Sequence, residues 1–109
     1  MAQWRVAASV EEVVKSGPLA LEIGGHRIGL YCVDGRFFAL QNVCPHAYAL
    51  LTAGFINGDE VECPLHGAVF RISTGECLWP ADLRGLERYE TRVEDGKVSI
   101  LIGAEGDGI

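Results

Sequence analysis

Two short stretches of this 109-residue chain pair a cysteine with a histidine at the spacing of metal ligands. Residues 44–46 read C-P-H, which pairs Cys44 with His46, and residues 63–66 read C-P-L-H, which pairs Cys63 with His66. Two thiolates and two imidazoles suit either a [2Fe–2S] cluster with one histidine-bound iron or a tetrahedral zinc ion. Because zinc modules usually pair like with like, these mixed pairs favour the iron–sulfur cluster.

The scarcity of these residue types argues that the four belong together. The chain has three histidines and four cysteines, and two of each fall in the two stretches. Four unrelated core side chains would not be expected to group in this way. The remaining cysteines, Cys32 and Cys77, have no partner at ligand spacing, and we expect both to be thiols, with Cys32 in the core.

The rest of the chain has the pattern of short β-strands joined by tight turns. Hairpin dipeptides stand at residues 24–25, 34–35, 57–58 and 95–96, as G-G, D-G, N-G and D-G. This density of turns predicts an all-β fold, an antiparallel β-sandwich or barrel. Strands are predicted at 4–8, 19–23, 26–33, 36–40, 53–56, 60–62, 89–93 and 97–102. One short helix is predicted after Ser9, with Glu12 completing a capping box, and the tail from Gly103 onward is expected to fray.

Length and charge limit the classes of function. A chain of 109 residues, 49% hydrophobic and 22% charged, predicts a single domain over residues 1–109. The net charge of −6 argues against nucleic acid or an anionic membrane as partner. No signal-peptide pattern and no apolar run of about 20 residues is present. We therefore expect a cytoplasmic monomer without a membrane segment.

From about Gly29 to Pro80 the chain resembles the Rieske [2Fe–2S] proteins, and its length is similar to the soluble Rieske-type ferredoxins of bacterial aromatic-ring-hydroxylating dioxygenase systems. The resemblance implies a Rieske-like antiparallel β-sandwich with an inserted cluster-binding subdomain at about residues 44–70. It also implies one Rieske [2Fe–2S] cluster per chain, with the cysteines on one iron and the histidines on the other. The implied ligands are Cys44, His46, Cys63 and His66.

Three neighbours of the ligands differ from high-potential members of that family. Leu65 stands where a bridging cysteine would be expected, and Ala68 and Phe70 stand where serine and tyrosine hydroxyls would be. Hydrogen bonds to the cluster sulfurs raise the reduction potential, so the resemblance implies a low potential here. The stretch L-W-P at 78–80 resembles the family's third loop over the cluster. Trp79 could equally be a core aromatic residue.

The residues favour a carrier over an oxygenase. A mononuclear iron site needs two further histidines and a carboxylate, and only His26 remains, which we expect on an exposed strand. No G-x-G-x-x-G fingerprint is present either. The resemblance implies a one-electron carrier, without catalytic residues, between an NAD(P)H-dependent flavoprotein ferredoxin reductase and a terminal oxygenase.

Two other functions stay open at this point. One is the small Rieske-like subunit of a larger reductase such as nitrite reductase, and the other is a zinc-stabilised interaction module. The acidic residues Asp59, Glu60 and Glu62 could form a docking rim or an ordinary solvated hairpin.

Overall fold

The computed structural model describes residues 2–45 and 48–103. Within these ranges, eleven strands and one α-helix follow each other along the chain. The predicted ligand His46 and, apart from Gly103, the tail expected to fray lie outside the described residues. The elements are β1 (Gln3–Ser9), α1 (Val10–Ser16), β2 (Leu19–Ile23), β3 (His26–Val33), β4 (Arg36–Gln41), β5 (Phe55–Asn57), β6 (Glu60–Glu62), β7 (Val69–Arg71), β8 (Cys77–Trp79), β9 (Arg88–Tyr89), β10 (Thr91–Glu94) and β11 (Lys97–Ile102).

The strands form three antiparallel sheets, which confirms the predicted fold class. Their orders are β1-β11-β10, β2-β3-β4-β9 and β5-β6-β7-β8. Turns at the predicted dipeptides have the positive φ that tight hairpins need, including φ of 51° at Asp34 and 52° at Asp95. The turn chemistry therefore fixes these hairpins.

The short helix begins as the sequence predicts. The amide of Glu12 donates to the hydroxyl of Ser9 at 3.0 Å, and the amide of Ser9 donates to the Glu12 carboxylate at 3.3 Å. Only Val13 of its valines is buried, whereas Val14 is 59% exposed. The helix thus contributes one fully buried side chain to the core, and Val10 packs against the same core at its margin.

Two apolar cores lie on the two faces of the sheet β2-β3-β4-β9. Side chains alternate between faces along a strand, so Ile28 and Leu30 enter one core while Tyr31 enters the other. The sandwich core consists of Ala8, Val13, Ile28, Leu30, Ala39, Val98, Ile100 and Ile102. The loop core consists of Tyr31, Leu40, Cys44, Leu51, Val61, Cys63, Ala68, Phe70, Ile72, Cys77 and Leu86.

The region around the candidate ligands differs from the sequence-based expectation in two ways. The predicted strand at 53–56 begins only at Phe55, because a 3-10 turn occupies Leu51–Ala53. Strands β7 and β8 were missed, since each has three residues and no alternating pattern to detect. The third sheet consequently runs from Phe55 to Trp79. No helix in the described ranges is long and apolar enough to span a membrane.

Candidate metal centre

Each candidate cysteine opens a loop that is closed by the same main-chain hydrogen bond. The amide of Cys44 donates to the carbonyl of Ala49 at 2.9 Å, and the amide of Cys63 donates to the carbonyl of Ala68 at 2.8 Å. Both bonds join a cysteine to an alanine five positions later. The two loops therefore place a cysteine at equivalent points, although one histidine is two positions after its cysteine and the other is three.

The two cysteines are buried in the same core. Cys44 is 3% exposed and Cys63 is 1% exposed, and both belong to the loop core. Both are thiols rather than disulfides. His66 is exposed at the surface of the second loop. Soft thiolate donors buried behind an exposed imidazole are a donor set that fits a histidine-ligated [2Fe–2S] cluster.

The fourth predicted ligand, His46, lies outside the described residues. Among residues 2–45 and 48–103, no three His, Cys, Asp or Glu side chains form a metal-binding group. Of the predicted ligands, Cys44 and Cys63 lie in one core, and His66 lies on the second loop, which Cys63 opens.

The first loop is held by a residue that the sequence reasoning missed. Asn42, 2% exposed, donates through its side-chain amide to the Thr52 hydroxyl at 2.9 Å. Its side-chain oxygen accepts from the Thr52 amide at 2.9 Å, and the Leu51 amide donates to the Asn42 carbonyl at 2.8 Å. These bonds join the two ends of the segment that contains Cys44. The only available signal was an asparagine at the end of a strand, two positions before a cysteine.

The second loop rests on a close main-chain approach at Gly54. A methyl group added there would collide with the carbonyl oxygen of Glu62 and lie 3.1 Å from Cδ of Pro64. Gly54 therefore lets the segment after the 3-10 turn lie directly against the residues that flank Cys63. No motif marks this requirement in the sequence.

The third loop reaches the same end of the sheet as the second ligand loop. Glu62 is opposite Val69, and Val69 is opposite Trp79. The next positions along these three strands are Cys63, Ala68 and Pro80, so Pro80 lies in line with the ligand loop. This placement agrees with the predicted third loop over the site.

A buried thiol ties that third loop to the sheet. Cys77, 7% exposed, donates from Sγ to the carbonyl of Pro80 at 3.2 Å, and the Leu83 amide donates to the same oxygen at 3.3 Å. Burial, helped by the charge of Asp82, raises the pKa of the Cys77 thiol above its ordinary value. The group therefore stays protonated and remains a donor. Trp79 is 60% exposed, so the core interpretation of this residue is wrong.

Of the three side chains expected to lower the reduction potential, two are buried and one is exposed. Ala68 is 2% exposed and Phe70 is fully buried, and neither carries a hydroxyl that could donate to sulfur. Leu65 projects from the second loop and is 64% exposed.

Three residues outside the candidate ligands differ from expectation. His26 is half-buried rather than exposed, because its Nδ1 lies 3.3 Å from the Tyr89 hydroxyl and their rings meet edge to face. Asp59 is not simply solvated, since its carboxylate accepts hydrogen bonds from the Ser73 amide at 2.9 Å and from the Ser73 hydroxyl at 2.6 Å. Cys32 is half-buried at the margin of the sandwich core.

Comparison with known proteins identifies the relatives of this fold and site. Residues 3–90 match a family model described as the Rieske [2Fe-2S] domain. The ferredoxin component of the naphthalene 1,2-dioxygenase/salicylate 5-hydroxylase systems of Ralstonia sp is 31% identical over 97 residues, covering 89% of this chain and 93% of the relative. The biphenyl dioxygenase ferredoxin subunit of Pseudomonas sp. strain KKS102 is 35% identical over 95 residues, covering 86% and 87%.

Solved structures show the same similarity. The ferredoxin of Sphingomonas yanoikuyae B1 superimposes with a TM-score of 0.82 at 32% identity, covering 90% of this chain and 97% of that one. The structure of a complex of reduced oxygenase and oxidised ferredoxin in carbazole 1,9a-dioxygenase contains a chain with a TM-score of 0.78 at 26% identity, covering 89% and 91%. A Mycobacterium tuberculosis structure described as the small subunit of an NADH-dependent nitrite reductase shares the fold, with a TM-score of 0.82 at 20% identity, covering 95% of this chain and 98% of that one.

Proposed function

The chain belongs to the Rieske [2Fe-2S] domain family, and from that premise we propose that it is the electron-carrying ferredoxin of an aromatic-ring-hydroxylating dioxygenase system. The observation that carries this proposal is the pair of equivalent loops that buries Cys44 and Cys63 together and leaves His66 exposed. Relatives of nearly the same length, matched over most of both chains, are named as ferredoxin components of such systems.

We assign the cluster ligands to Cys44, His46, Cys63 and His66. When bound, the Rieske [2Fe–2S] cluster supplies one-electron redox chemistry. Cys44 and Cys63, both buried in the loop core, would hold one of its irons through their thiolates. The exposed His66 gives a partner protein access to this edge of the domain. Membership of this family favours an iron–sulfur cluster over the zinc ion of an interaction module, which the ligand types alone had left open.

The partners follow from the same assignment. A flavoprotein reductase supplies electrons from NAD(P)H, and a terminal oxygenase accepts them and carries out the hydroxylation. The net charge of −6 favours partner surfaces with basic residues. Interfaces for electron transfer are small and transient, below about 1,200 Å², so a monomeric carrier in the cytoplasm can visit both partners in turn.

The second candidate is the small subunit of a nitrite reductase. It shares the fold with this chain at 20% identity, and that level of identity supports the fold alone. A subunit of that kind would copurify with a large subunit at fixed stoichiometry, whereas a carrier would purify alone and still accept and donate electrons.

Reconstitution of electron transfer tests the proposal. The cluster-loaded protein would be mixed with NADH or NADPH, a flavoprotein ferredoxin reductase, and the oxygenase components of the naphthalene, biphenyl and carbazole dioxygenase systems in turn. Product formation that requires the added protein and saturates with its concentration supports the proposed function. Failure to replace the native ferredoxin with any of the three oxygenases contradicts it.

Iron and sulfide analysis tests the ligand assignment separately. Cys63→Ser is expected to lose most of the bound iron and sulfide, because a hydroxyl is a poor ligand for iron in this setting. Cys32→Ser is the matched control and should retain two irons per chain, as [2Fe–2S] stoichiometry requires. Equal loss in the two variants would contradict the assignment.

A further inference from the structure

Four residues lie in one row across the third sheet, beside the second ligand loop. Phe55 is directly opposite Glu62, Glu62 is opposite Val69, and Val69 is opposite Trp79. Directly opposite residues of antiparallel strands project from the same face. Because strands are about 4.8 Å apart, three intervals make the row roughly 14 Å long. We call these four residues the aromatic row.

The aromatic row is on the face of the sheet that is turned to solvent. In the preceding row, Val61 and Phe70 are fully buried in the loop core, and Ile56 at the edge of that row is 42% exposed. The neighbours of Val61 and Phe70 along their strands therefore point the other way. Phe55 is 65% exposed and Trp79 is 60% exposed. A β-bulge at Leu78, where Val69 pairs with Trp79 and Phe70 pairs with Cys77, turns the strand while keeping Trp79 outward.

Large aromatic side chains on a solvent-facing strand need a physical reason. Antiparallel sheets with one wet face normally carry polar residues there. Outside residues 48–79, the exposed large hydrophobic residues of the described ranges are the separate valines Val6, Val14 and Val93. The others all lie within residues 48–79, near the ligand loops: Tyr48, Leu50, Phe55, Ile56, Leu65 and Trp79. Such a concentration marks an interaction surface.

The charge on this face is acidic. Glu62 stands between the aromatic residues, and Glu60 projects from the same face two positions earlier. Arg71 lies opposite Glu60 and is the cation of this face. Its guanidinium is 3.9 Å from the Asp59 carboxylate, so the negative charge of Asp59 offsets the positive charge of Arg71. A partner that covers the aromatic row must therefore present a basic side chain to Glu62.

The aromatic row adjoins the second ligand loop directly. Glu62 immediately precedes Cys63, and its Oε2 lies 3.6 Å from where a Cβ on Gly67 would stand. A protein seated on the row thus contacts the residues that flank the candidate ligand.

We propose that the aromatic row docks the terminal oxygenase, which presents an arginine or lysine to Glu62 and apolar surface to Phe55 and Trp79. This inference rests on the proposed function and adds a specific surface to it. Binding energy in protein interfaces is concentrated in a few residues, and tryptophan and arginine are prominent among them. Trp79 is therefore the expected anchor, and Glu62 sets the orientation.

Binding measurements with matched variants test the apolar part of the row. The probe is whichever of the three oxygenases accepts electrons best in the reconstitution assay, and the dissociation constant is measured by calorimetry with oxidised, cluster-loaded protein. The double variant Phe55→Ser/Trp79→Ser is expected to bind at least about tenfold more weakly. Val6→Ser/Val93→Ser, at positions 66% and 50% exposed on the sheet β1-β11-β10, is the control and should bind within twofold of wild type. Equal effects of the two double variants, or unchanged binding of the row variant, would overturn the proposal.

A charge reversal tests the polar part. Glu62→Lys is expected to weaken binding about tenfold at low salt and much less at high salt, because the contact is electrostatic. Glu22→Lys makes the same charge change on an exposed residue of β2 and should have little effect. Similar weakening by both would show a general charge effect and contradict the specific contact.

The outcomes separate this inference from the function on which it rests. Wild-type protein that supports no oxygenase contradicts the proposed function and removes the occupant named here. Normal electron transfer with normal binding of the row variants contradicts only the docking surface. The electron paramagnetic resonance spectrum of each variant, identical to that of wild type, is the check that the cluster is intact.

Discussion

The Asn42 side chain joins Thr52 at two points, donating to its hydroxyl and accepting from its amide, both at 2.9 Å. Ten residues separate these positions, and Cys44 lies between them. A buried amide group therefore sets the distance between the two ends of the first ligand segment.

Replacing Asn42 by alanine is expected to destabilise the protein. The change removes two hydrogen bonds and leaves the partly buried Thr52 amide without its acceptor, which costs about 2 kcal/mol. The midpoint of thermal unfolding should fall by roughly 10 °C. Thr52→Val removes only the hydroxyl contact and should lower the midpoint less. An Asn42→Ala variant with the same midpoint of thermal unfolding as wild type would show that the Asn42–Thr52 pair has no structural role.

Gly54→Ala is expected to be more disruptive than the same change at another glycine. The new methyl group would collide with the Glu62 carbonyl, and main-chain atoms cannot move aside cheaply. The cost is about 2–3 kcal/mol, and iron content should fall with it. Gly58→Ala is the control, because φ of 61° is unfavourable there but nothing lies within 4 Å, and its cost is about 1 kcal/mol. The reverse order of unfolding midpoints would contradict this account.

What could be predicted from the sequence was local in origin. The hairpins at Asp34 and Asp95 are encoded by adjacent residues that favour positive φ. The candidate ligands are recognisable from the short spacing between each cysteine and its histidine. The contacts that hold the site are different, because each joins residues far apart in the chain. Gly54 against Glu62, and the Asn42 side chain on Thr52, depend on the packed structure and leave no periodic signal.

The three-residue strands β7 and β8 were missed for a related reason. A strand of that length shows no alternation of its own, and pairing with its neighbours defines it. Trp79 illustrates the consequence, since a tryptophan in a short apolar run suggests a core residue, whereas the bulge at Leu78 leaves it exposed. The face of such a residue is decided by strand register.

The Tyr31 hydroxyl is expected to reduce stability, most of all at alkaline pH. It is buried, and among the described residues it has no hydrogen-bond partner. Burial raises the pKa of Tyr31 far above its ordinary value of about 10. The unfolded chain therefore ionises first, so ionisation of this group does not affect the free energy of unfolding below about pH 10, and it lowers that free energy as the pH rises from there toward the folded-state pKa.

Tyr31→Phe tests that expectation. The variant should be about 1 kcal/mol more stable than wild type at neutral pH, because it no longer buries an unpaired hydroxyl. Its advantage should grow by about 1.4 kcal/mol per pH unit above pH 10. Tyr48→Phe, at an 85% exposed tyrosine, should leave the neutral-pH midpoint unchanged. A Tyr31→Phe variant that is less stable at every pH would indicate that the hydroxyl is paired after all.

Ala68→Ser is expected to raise the reduction potential. Its side chain is buried beside Cys63, where a hydroxyl could donate to a cluster sulfur and stabilise the reduced state. One such hydrogen bond of about 1 kcal/mol corresponds to roughly 40 mV for a one-electron couple. Potentiometric titration measures the shift, with Ala53→Ser at an exposed position as the control. Equal potentials for wild type and Ala68→Ser would contradict the explanation of a low potential by missing hydroxyl groups.

The most direct test of the central claim is the low-temperature electron paramagnetic resonance spectrum of the dithionite-reduced protein. Ligation by Cys44, His46, Cys63 and His66 predicts a rhombic signal with the low average g value of a histidine-ligated [2Fe–2S] cluster. A signal typical of four-cysteine ligation would require Cys32 or Cys77 as a ligand and would contradict the assignment. A protein that contains zinc and gives no signal would contradict the electron-carrier function itself.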